Sequence, residues 1–512
     1  MTGRVRGVTC AVWMALSGGA AAQEVTLRTP SGNVALSGTL LGYDGRFYRL
    51  YTEAGEISVD GRRLGCQGDC PEGGMALPVR VSGTRSVAED LLPPLIETYA
   101  QRQGYELTIT ETGEDRSSYV IEQDDAVLGQ FDIHASTGAE GFADLIGDAA
   151  DLIVSQREIS PGEAALAQQA GRGDVTAPGR SVILALDAVV PLIGPTNPVG
   201  TLSVVQIRDV AAGRIDNWAD LGGPDLPIRF HVTEPRSGIY QAFWSRVLQG
   251  DDLRTDAIRH ESAPDLARAV AEDPAALGIG SFADLGDAQP IALEGPCGLT
   301  AEASRATIKS EDYPLTAPVF AYAPARRLPA FAQDFLDYAT SPAAQSVIRR
   351  ADFVDQFPEA IALSDQGGRF VNAIRAAGED VSLGDLQRMV TALDDKRRLS
   401  LSFRFEGASA GLDAQSRSNV ALLGDALDGG LFDGRTLLFA GFSDGVGAGG
   451  VNRSLSQDRA EAVRAAIRSV IGPDVAERMT FEVGAFGEAL PMACDGTDWG
   501  RRVNRRVEVW LE

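Results

Sequence analysis

Three times between residues 77 and 357 a short apolar strand runs into a Ser/Gly turn and then an amphipathic helix. This repeated unit restricts the fold more than any other feature of the chain. The first unit is Val79-Arg80-Val81, the turn Ser82-Gly83-Thr84-Arg85-Ser86, and a helix with Leu91, Leu95 and Tyr99 on one face. The second is Phe131-Asp132-Ile133, Ser136-Thr137-Gly138, and a helix carrying Phe142, Leu145 and Ile146. The third is Ile228 to Val232, Arg236-Ser237-Gly238, and a helix with Phe243 and Trp244. Strands alternating with helices define an α/β domain. Each unit also presents backbone N–H groups and hydroxyls at the positive end of a helix, where an anion can be held, and glycine lets the backbone approach it. One such unit is equally a capped helix start; three in one domain point to an anion cleft.

The first 22 residues have a different character. Arg4 and Arg6 precede a short apolar run, Val8 to Leu16, and Ala20-Ala21-Ala22 offers small residues for a signal peptidase, so cleavage is expected before Gln23. Removing this segment takes two arginines and no acid, moving the formal charge from −25 to −27. Such a balance repels nucleic acid and anionic membrane surfaces, yet a local cluster of donors can still bind an anion. There is no apolar run of roughly 18 residues, so no membrane-spanning helix is expected. Export places the four remaining cysteines in an oxidising compartment. Cys66 and Cys70, in a turn-rich stretch, read first as a local disulfide. A zinc half-site is the alternative, but the three histidines, His134, His231 and His260, all lie far along the chain. Neither a metal nor a cofactor is expected. The sequence leaves the pairing of Cys297 and Cys494 open.

Beyond the signal peptide (1–22) the chain divides into a small β-rich region (23–76), the α/β zone (77–357), a polar linker (358–375) and a second α/β unit (376–512). In the β-rich region, Tyr43-Asp44-Gly45 marks a hairpin.

Within the α/β zone, Ser82-Gly83-Thr84, the run Ala150 to Arg157, and the series Asn197-Pro198-Val199, Gly213-Arg214-Ile215-Asp216-Asn217-Trp218, Gly222-Gly223 and Ser237-Gly238 resemble phosphate-type periplasmic binding proteins of ABC transporters, the PstS family. The resemblance implies two α/β lobes joined by crossing strands near Val182–Ile193 and Thr316–Tyr322, with the ligand closing the cleft between them. It places Thr84, Arg85, Ser86, Ser136, Thr137, Ser155, Gln156, Arg236, Ser237 and Gly238 around the anion. Several positions depart from the family pattern. Arg85 stands where a hydroxyl is usual, Gln156 where a carboxylate or arginine follows the serine, and the third turn reads Thr233-Glu234-Pro235-Arg236-Ser237-Gly238-Ile239. A carboxylate accepts a hydrogen bond from protonated phosphate and repels a fully deprotonated oxyanion. Gln156 can donate or accept, so that discrimination is not carried over, while Arg85 and Arg236 can supply charged donors.

The C-terminal unit has its own signal. An apolar strand, Leu437 to Phe442, ends at Ser443-Asp444; a glycine-rich loop, 445–450, leads past Asn452; and Ser456 can cap a helix with Val463, Ile467 and Val470 at core spacing and Arg459 in its first turn. An acid at a strand end and an arginine at a helix start can then face one pocket. The pattern S-D-x-x-G-x-x-x-x-N-x-x-L-S-x-x-R-A-x-x-V, followed by Gly500-Arg501 and Asn504-Arg505-Arg506-Val507-Glu508-Val509, closely resembles the OmpA-like peptidoglycan-binding domain, with the strand Leu399–Phe405 and a helix from Ala408 to Leu427 at its start. By that resemblance Asp444 takes the ammonium and Arg459 the carboxylate of diaminopimelate in the peptide stem, with Asn452 beside them.

The fold class expected is therefore α/β and α+β multidomain: a small β-rich N-terminal piece, a two-lobed periplasmic-binding-protein fold and a C-terminal OmpA-like βαβαβ-type domain. The function expected is a periplasmic protein that binds phosphate or a related oxyanion for an ABC transport or sensing system, with a permease as partner. Its C-terminal domain would hold it non-covalently on peptidoglycan in the Gram-negative envelope, near the outer membrane. The alternative is a structural envelope scaffold whose binding fold no longer takes a small ligand. An enzyme is not expected. There is no G-x-S-x-G elbow, H-E-x-x-H or P-loop, and Ser237 has no base visible in sequence.

Overall fold

Backbone pairing divides the chain into two units, Met1–Leu77 and Pro78–Glu512. The computed structural model describes residues 23–512 except 33–34, 54, 72–77, 125, 178, 379 and 406–410. The expected signal peptide, the expected boundary at 76–77 and the first residues of the helix expected from Ala408 lie outside the described residues.

In the first unit, alternating apolar residues build one antiparallel sheet from Gln23–Arg28, Ala35–Tyr43, Phe47–Thr52, Gly55–Asp60 and Gly65–Gly68, in the order fourth, third, second, first, fifth. Val25, Leu27, Leu40, Tyr48 and Leu50 form its core. The Asp44 carboxylate closes the hairpin by accepting from the amides of Arg46 (3.0 Å) and Phe47 (2.6 Å). Cys66 and Cys70 are joined in a disulfide, which leaves neither thiolate to a metal.

The second unit begins with a long mixed sheet. Its strand order is Ile258–His260, Arg229–Thr233, Ala276–Ser281, Ser181–Ile193, Thr316–Tyr322, Leu152–Ser155, Pro78–Thr84, Ala126–Ser136, Arg116–Gln123 and Glu106–Gly113. Ser181–Ile193 belongs to two lobes at once: its first part pairs with Thr316–Tyr322 and its last five residues pair with Ala276–Ser281. One core gathers Val79, Leu91, Leu95, Tyr99, Phe131 and Phe335; another gathers Ile193, Trp218, Phe230, Phe243, Leu266 and Leu277. Trp244, which follows Phe243 in the third unit, is half exposed. Gly83 has φ +142°, and a Cβ there would collide with the Val154 carbonyl, so the close approach of the first turn to the strand Leu152–Ser155 requires glycine.

The segment 358–375, expected as a polar linker, is structured. Ala360–Ile361 pairs with Arg397–Arg404, and a helix spans Gly367–Ala376. Phe370 and Ala373, one turn apart, pack with Met389, Leu393, Leu438 and Trp510. This apolar stripe was too short to stand out among the neighbouring glycines and polar residues. The C-terminal sheet runs Ala360–Ile361, Arg397–Arg404, Arg506–Leu511, Thr436–Gly441, Thr480–Ala485. Helices Ala414–Asp428 and Gly449–Val470 cover one face, the latter packing Val463 and Ile467 into the core with Leu399, Leu401, Phe403, Val507 and Val509.

Along these strands the period of two sends alternate residues to the opposite face. There Arg398, Arg506 and Glu508 are buried, with the partly buried Arg369 beside them. Glu508 accepts from Arg506 (2.7 Å), from Arg369 and from the Trp510 indole (3.1 Å), with Arg398 at 3.4 Å. Arg398 also donates to Asp312 of the binding module (3.1 Å). A second tie is covalent: Cys297, beyond the strand Ala292–Glu294, is bonded to Cys494 in the segment before the last helix.

Candidate ligand sites

The three helix-starting turns meet at Thr84. A methyl group built on Gly138 would lie 2.8 Å from Ser155 Oγ, 3.3 Å from Gln241 Oε1 and 3.6 Å from Thr84 Oγ1. One built on Gly238, from the other lobe, would collide with Gln156 Oε1 and the Thr84 methyl. Ser82 Oγ lies 3.2 Å from Ser136 Oγ, which also reaches the Gly83 carbonyl at 3.4 Å. Ser86 Oγ donates to Gln156 Oε1 at 3.3 Å.

Capping occupies several of the hydroxyls expected at an anion. Thr137 accepts from the Glu140 amide (3.0 Å) in a reciprocal capping box, Ser237 caps its helix through the Tyr240 amide (3.5 Å), and Ser155 exchanges hydrogen bonds with the Arg157 backbone. Thr84 Oγ1 is different. It is fully buried with no partner among the described residues, as is Thr233 Oγ1 at the end of the strand feeding the third turn. A buried hydroxyl without a partner carries a desolvation cost that a bound oxyanion would relieve.

The arginines are committed to acids. Arg85 pairs with Glu89 (2.6 Å) and Asp115, Arg157 with Glu163 (2.6 Å), and the exposed Arg236 sits 3.6 Å from Glu234. The meeting point is therefore lined by neutral donors and helix starts rather than by free cations. Two residues there escaped the sequence reading. Gln241 approaches the second turn, and Asp187, on the strand shared by the lobes, accepts from Gln156 Nε2 at 2.9 Å. Neither lies in a turn motif, so the sequence carried no signal for them.

In the C-terminal domain the strand Thr436–Gly441 delivers Ser443 and Asp444 to a pocket beside the long helix. That helix starts at Gly449, seven residues before the expected cap Ser456. Asn452 is consequently in the helix rather than the loop, and Arg459 lies near mid-helix rather than in the first turn. Ser456 is buried inside, donating to the Arg453 carbonyl (2.8 Å) and accepting from the Gly487 amide (3.1 Å). Val463 and Ile467 are core residues as expected, while Val470 is 47 % exposed.

Asp444 pairs with Arg505 at 2.6 Å, a partner not anticipated, while the neighbouring Arg506 turns into the buried layer. Arg459, 5 % exposed, has Nη1 buried with no hydrogen-bond partner among the described residues, and Ser443 Oγ is in the same state. Burial, and then the adjacent Arg505, pull the Arg459 pKa down, with Asp444 opposing. Across the loop, Glu488 and Asp495 flank Gly445, and the Gly445 amide donates to Asp495 (2.8 Å). Asn452 lies beside Glu488, whose pKa burial raises. Two arginines around one aspartate, facing two further acids, make a pocket with a cationic and an anionic side. Such a pocket suits a ligand bearing both charges.

Two α/β lobes sharing long strands, with helix-starting turns meeting between them, define a two-lobed periplasmic-binding-protein fold. Residues 52–343 match the model of the PBP superfamily domain, and the chain belongs to that family. It is similar to the phosphate-binding protein PstS of Bacillus subtilis, with 29 % identity over 164 residues, 31 % of this chain and 53 % of the relative. It is also similar to outer membrane porin F of Pseudomonas fluorescens, with 31 % identity over 115 residues, 22 % of this chain and 33 % of the porin. The chain thus spans about half the length of the first relative and a third of the second. Among solved structures, an ABC-type phosphate transport receptor from Vibrio cholerae is similar at 19 % identity and TM-score 0.43, covering 54 % of this chain and 99 % of that one. No helix among the described residues is long and apolar enough to cross a membrane.

Proposed function

We propose that this protein binds an oxyanion, phosphate first among them, outside the cytoplasm for an ABC importer or a sensing system, and that its C-terminal domain holds it on peptidoglycan. The role is binding rather than catalysis. The observation that carries the anion reading is the convergence of three helix-starting turns on Thr84, whose buried hydroxyl lacks a partner. The similarity to a phosphate-binding relative supports it. The pocket around Asp444, Asn452 and Arg459, with opposed charges and an unpartnered guanidinium nitrogen, supports diaminopimelate-type peptidoglycan as the second ligand, as does the similarity to the porins.

One observation favours a scaffold instead. Arg85, Arg157 and Arg236 each already face an acid, and Gly238 already abuts Gln156. Calorimetry of the full chain lacking residues 1–22 separates the two readings. Phosphate should bind, and Gly238→Ala should weaken it by roughly tenfold or more, because the added methyl prevents the third turn from seating against Gln156 and Thr84. If phosphate, sulfate and related oxyanions all fail to bind at millimolar concentration, the scaffold reading stands.

A further inference from the structure

A segment with neither helix nor strand has no hydrogen-bond ladder of its own, so its shape depends on the groups that tie it down. Residues 486–497, between the strand Thr480–Ala485 and the helix Asp498–Asn504, are such a segment, and they supply the acidic wall of the pocket around Asp444. The Asp495 carboxylate is central to it. Its Oδ2 accepts from the amide of Gly445 (2.8 Å), the residue after Asp444, and its Oδ1 accepts from Nδ2 of Asn504 (2.9 Å), the residue before Arg505. Asp444 and Arg505 are themselves paired at 2.6 Å. One carboxylate therefore sets both members of that pair, through the residue beside each. The approach is close: a methyl group built on Gly445 would lie 2.7 Å from Asp495 Oδ2.

Asp495 is in turn held from outside its own domain. Its neighbour Cys494, 7 % exposed, is bonded to Cys297, whose amide donates to Cys494 Sγ (3.0 Å). Cys297 lies in the turn that joins Ala292–Glu294 to Thr300–Ala301 in the binding module. The Gly295 amide closes that turn on the Leu299 carbonyl (2.8 Å), and the Gly298 amide on the Gly295 carbonyl (2.9 Å). A Cβ on Gly295 would collide with Cys494 Sγ, so the turn is shaped around the sulfur it receives.

We propose that Cys297 is a positioning residue for the peptidoglycan pocket, supplied by the binding module: its bond to Cys494 fixes Asp495, and Asp495 sets Gly445 and Asn504 so that Asp444 and Arg505 stand ready for the diaminopimelate stem. A binding constellation must be held to within about 0.5 Å, and a tie at the residue next to Asp495 supplies that restraint. The C-terminal domain then recognises its ligand fully only while this bond joins it to the binding module. The inference rests on the peptidoglycan reading of the pocket.

The experiment uses the full chain lacking residues 1–22 and insoluble diaminopimelate-type peptidoglycan. In Cys297→Ser/Cys494→Ser, which removes both thiols, the affinity read from pelleting should fall by roughly tenfold. In an Asp495→Ala background, itself weakened, the same double substitution should cost nothing more, because the route through Asp495 is already cut. Hydrogen exchange gives a second readout. Without the bond the Gly445 amide should exchange faster by roughly tenfold, while the amides of the strand Thr436–Gly441 stay as protected as in the parent. Should the double variant fail to fold, Cys66→Ser/Cys70→Ser, in which Cys297–Cys494 is the disulfide left, gives the same comparison before and after dithiothreitol. A merely structural role would speed exchange across the whole domain, or lower pelleting equally with and without Asp495; either result overturns the inference. So does pelleting equal to the parent's, which leaves the peptidoglycan reading intact. A parent that fails to pellet overturns that reading and this inference with it.

Discussion

Asp444→Ala and Arg459→Ala should each leave the protein in the supernatant when it is spun with insoluble diaminopimelate-type peptidoglycan, under conditions that pellet the parent. Among the described residues Arg459 Nη1 is buried without a partner, and Asp444 is the acid bonded to Arg505. Removing Arg459 deletes the donor set aimed at a ligand carboxylate. Removing Asp444 deletes an acceptor for the ammonium and also leaves two arginines facing one another. Truncating one partner of a buried, hydrogen-bonded charge pair at an interface costs about 2–5 kcal/mol, enough to abolish pelleting at micromolar protein. Lysine-type peptidoglycan, lacking the extra carboxylate, should pellet the parent weakly. Both side chains are largely buried, Asp444 at 9 % and Arg459 at 5 % exposure, so the assay belongs at a temperature where circular dichroism shows each variant folded. Equal pelleting of the parent and both folded variants would contradict this assignment.

The largest loss of stability is expected from Glu508→Ala. Glu508 is fully buried and is the acid on which Arg369, Arg398 and Arg506 converge. Without it, three guanidinium groups, two of them fully buried, lose their shared acid and Arg398 keeps Asp312 beyond the domain; breaking such a buried arrangement from one side costs about 3–5 kcal/mol. Thermal unfolding should move down by roughly ten degrees. Glu482→Ala, an exposed acid on the strand Thr480–Ala485, should change little. The arginines hold the Glu508 carboxyl well below the usual glutamate range. A depressed folded pKa means that its stabilisation is present above the ordinary glutamate value and is lost only as pH falls through the depressed one. The parent should therefore resist mild acid better than the variant. Indistinguishable melting curves for the two would show that the buried charges are dispensable.

What could be read from the sequence was local. Thr137 and Ser237 do cap their helices, because a hydroxyl followed by an apolar stripe expresses itself within a few residues. Asp444, Asn452 and Arg459 could be named together because one strand–loop–helix step contains all three. The start of that helix was misplaced: Gly449 and Gly450 look like loop, yet the helix accommodates them, and Ser456 serves a buried contact rather than a cap. The remaining features depend on residues brought together across the fold. Gln156 meets Asp187 on another strand, Arg505 finds Asp444 across the pocket, and Asp312 reaches Arg398 from the neighbouring module. Period and spacing describe which face a residue takes, not which distant residue meets it there.

The Cys297–Cys494 bond joins positions 197 residues apart, and it sits one residue from Asp495, whose carboxylate fastens the Gly445 loop. In mechanical terms it is a bypass. Tension applied at the C-terminal pocket reaches the lobe containing Cys297 through a single covalent link, instead of travelling through the helices and shared strands that lie between the two cysteines in the chain. The strands that the two lobes share are thereby relieved of that load. A peptide bond cut anywhere between the two positions would likewise leave the pieces attached.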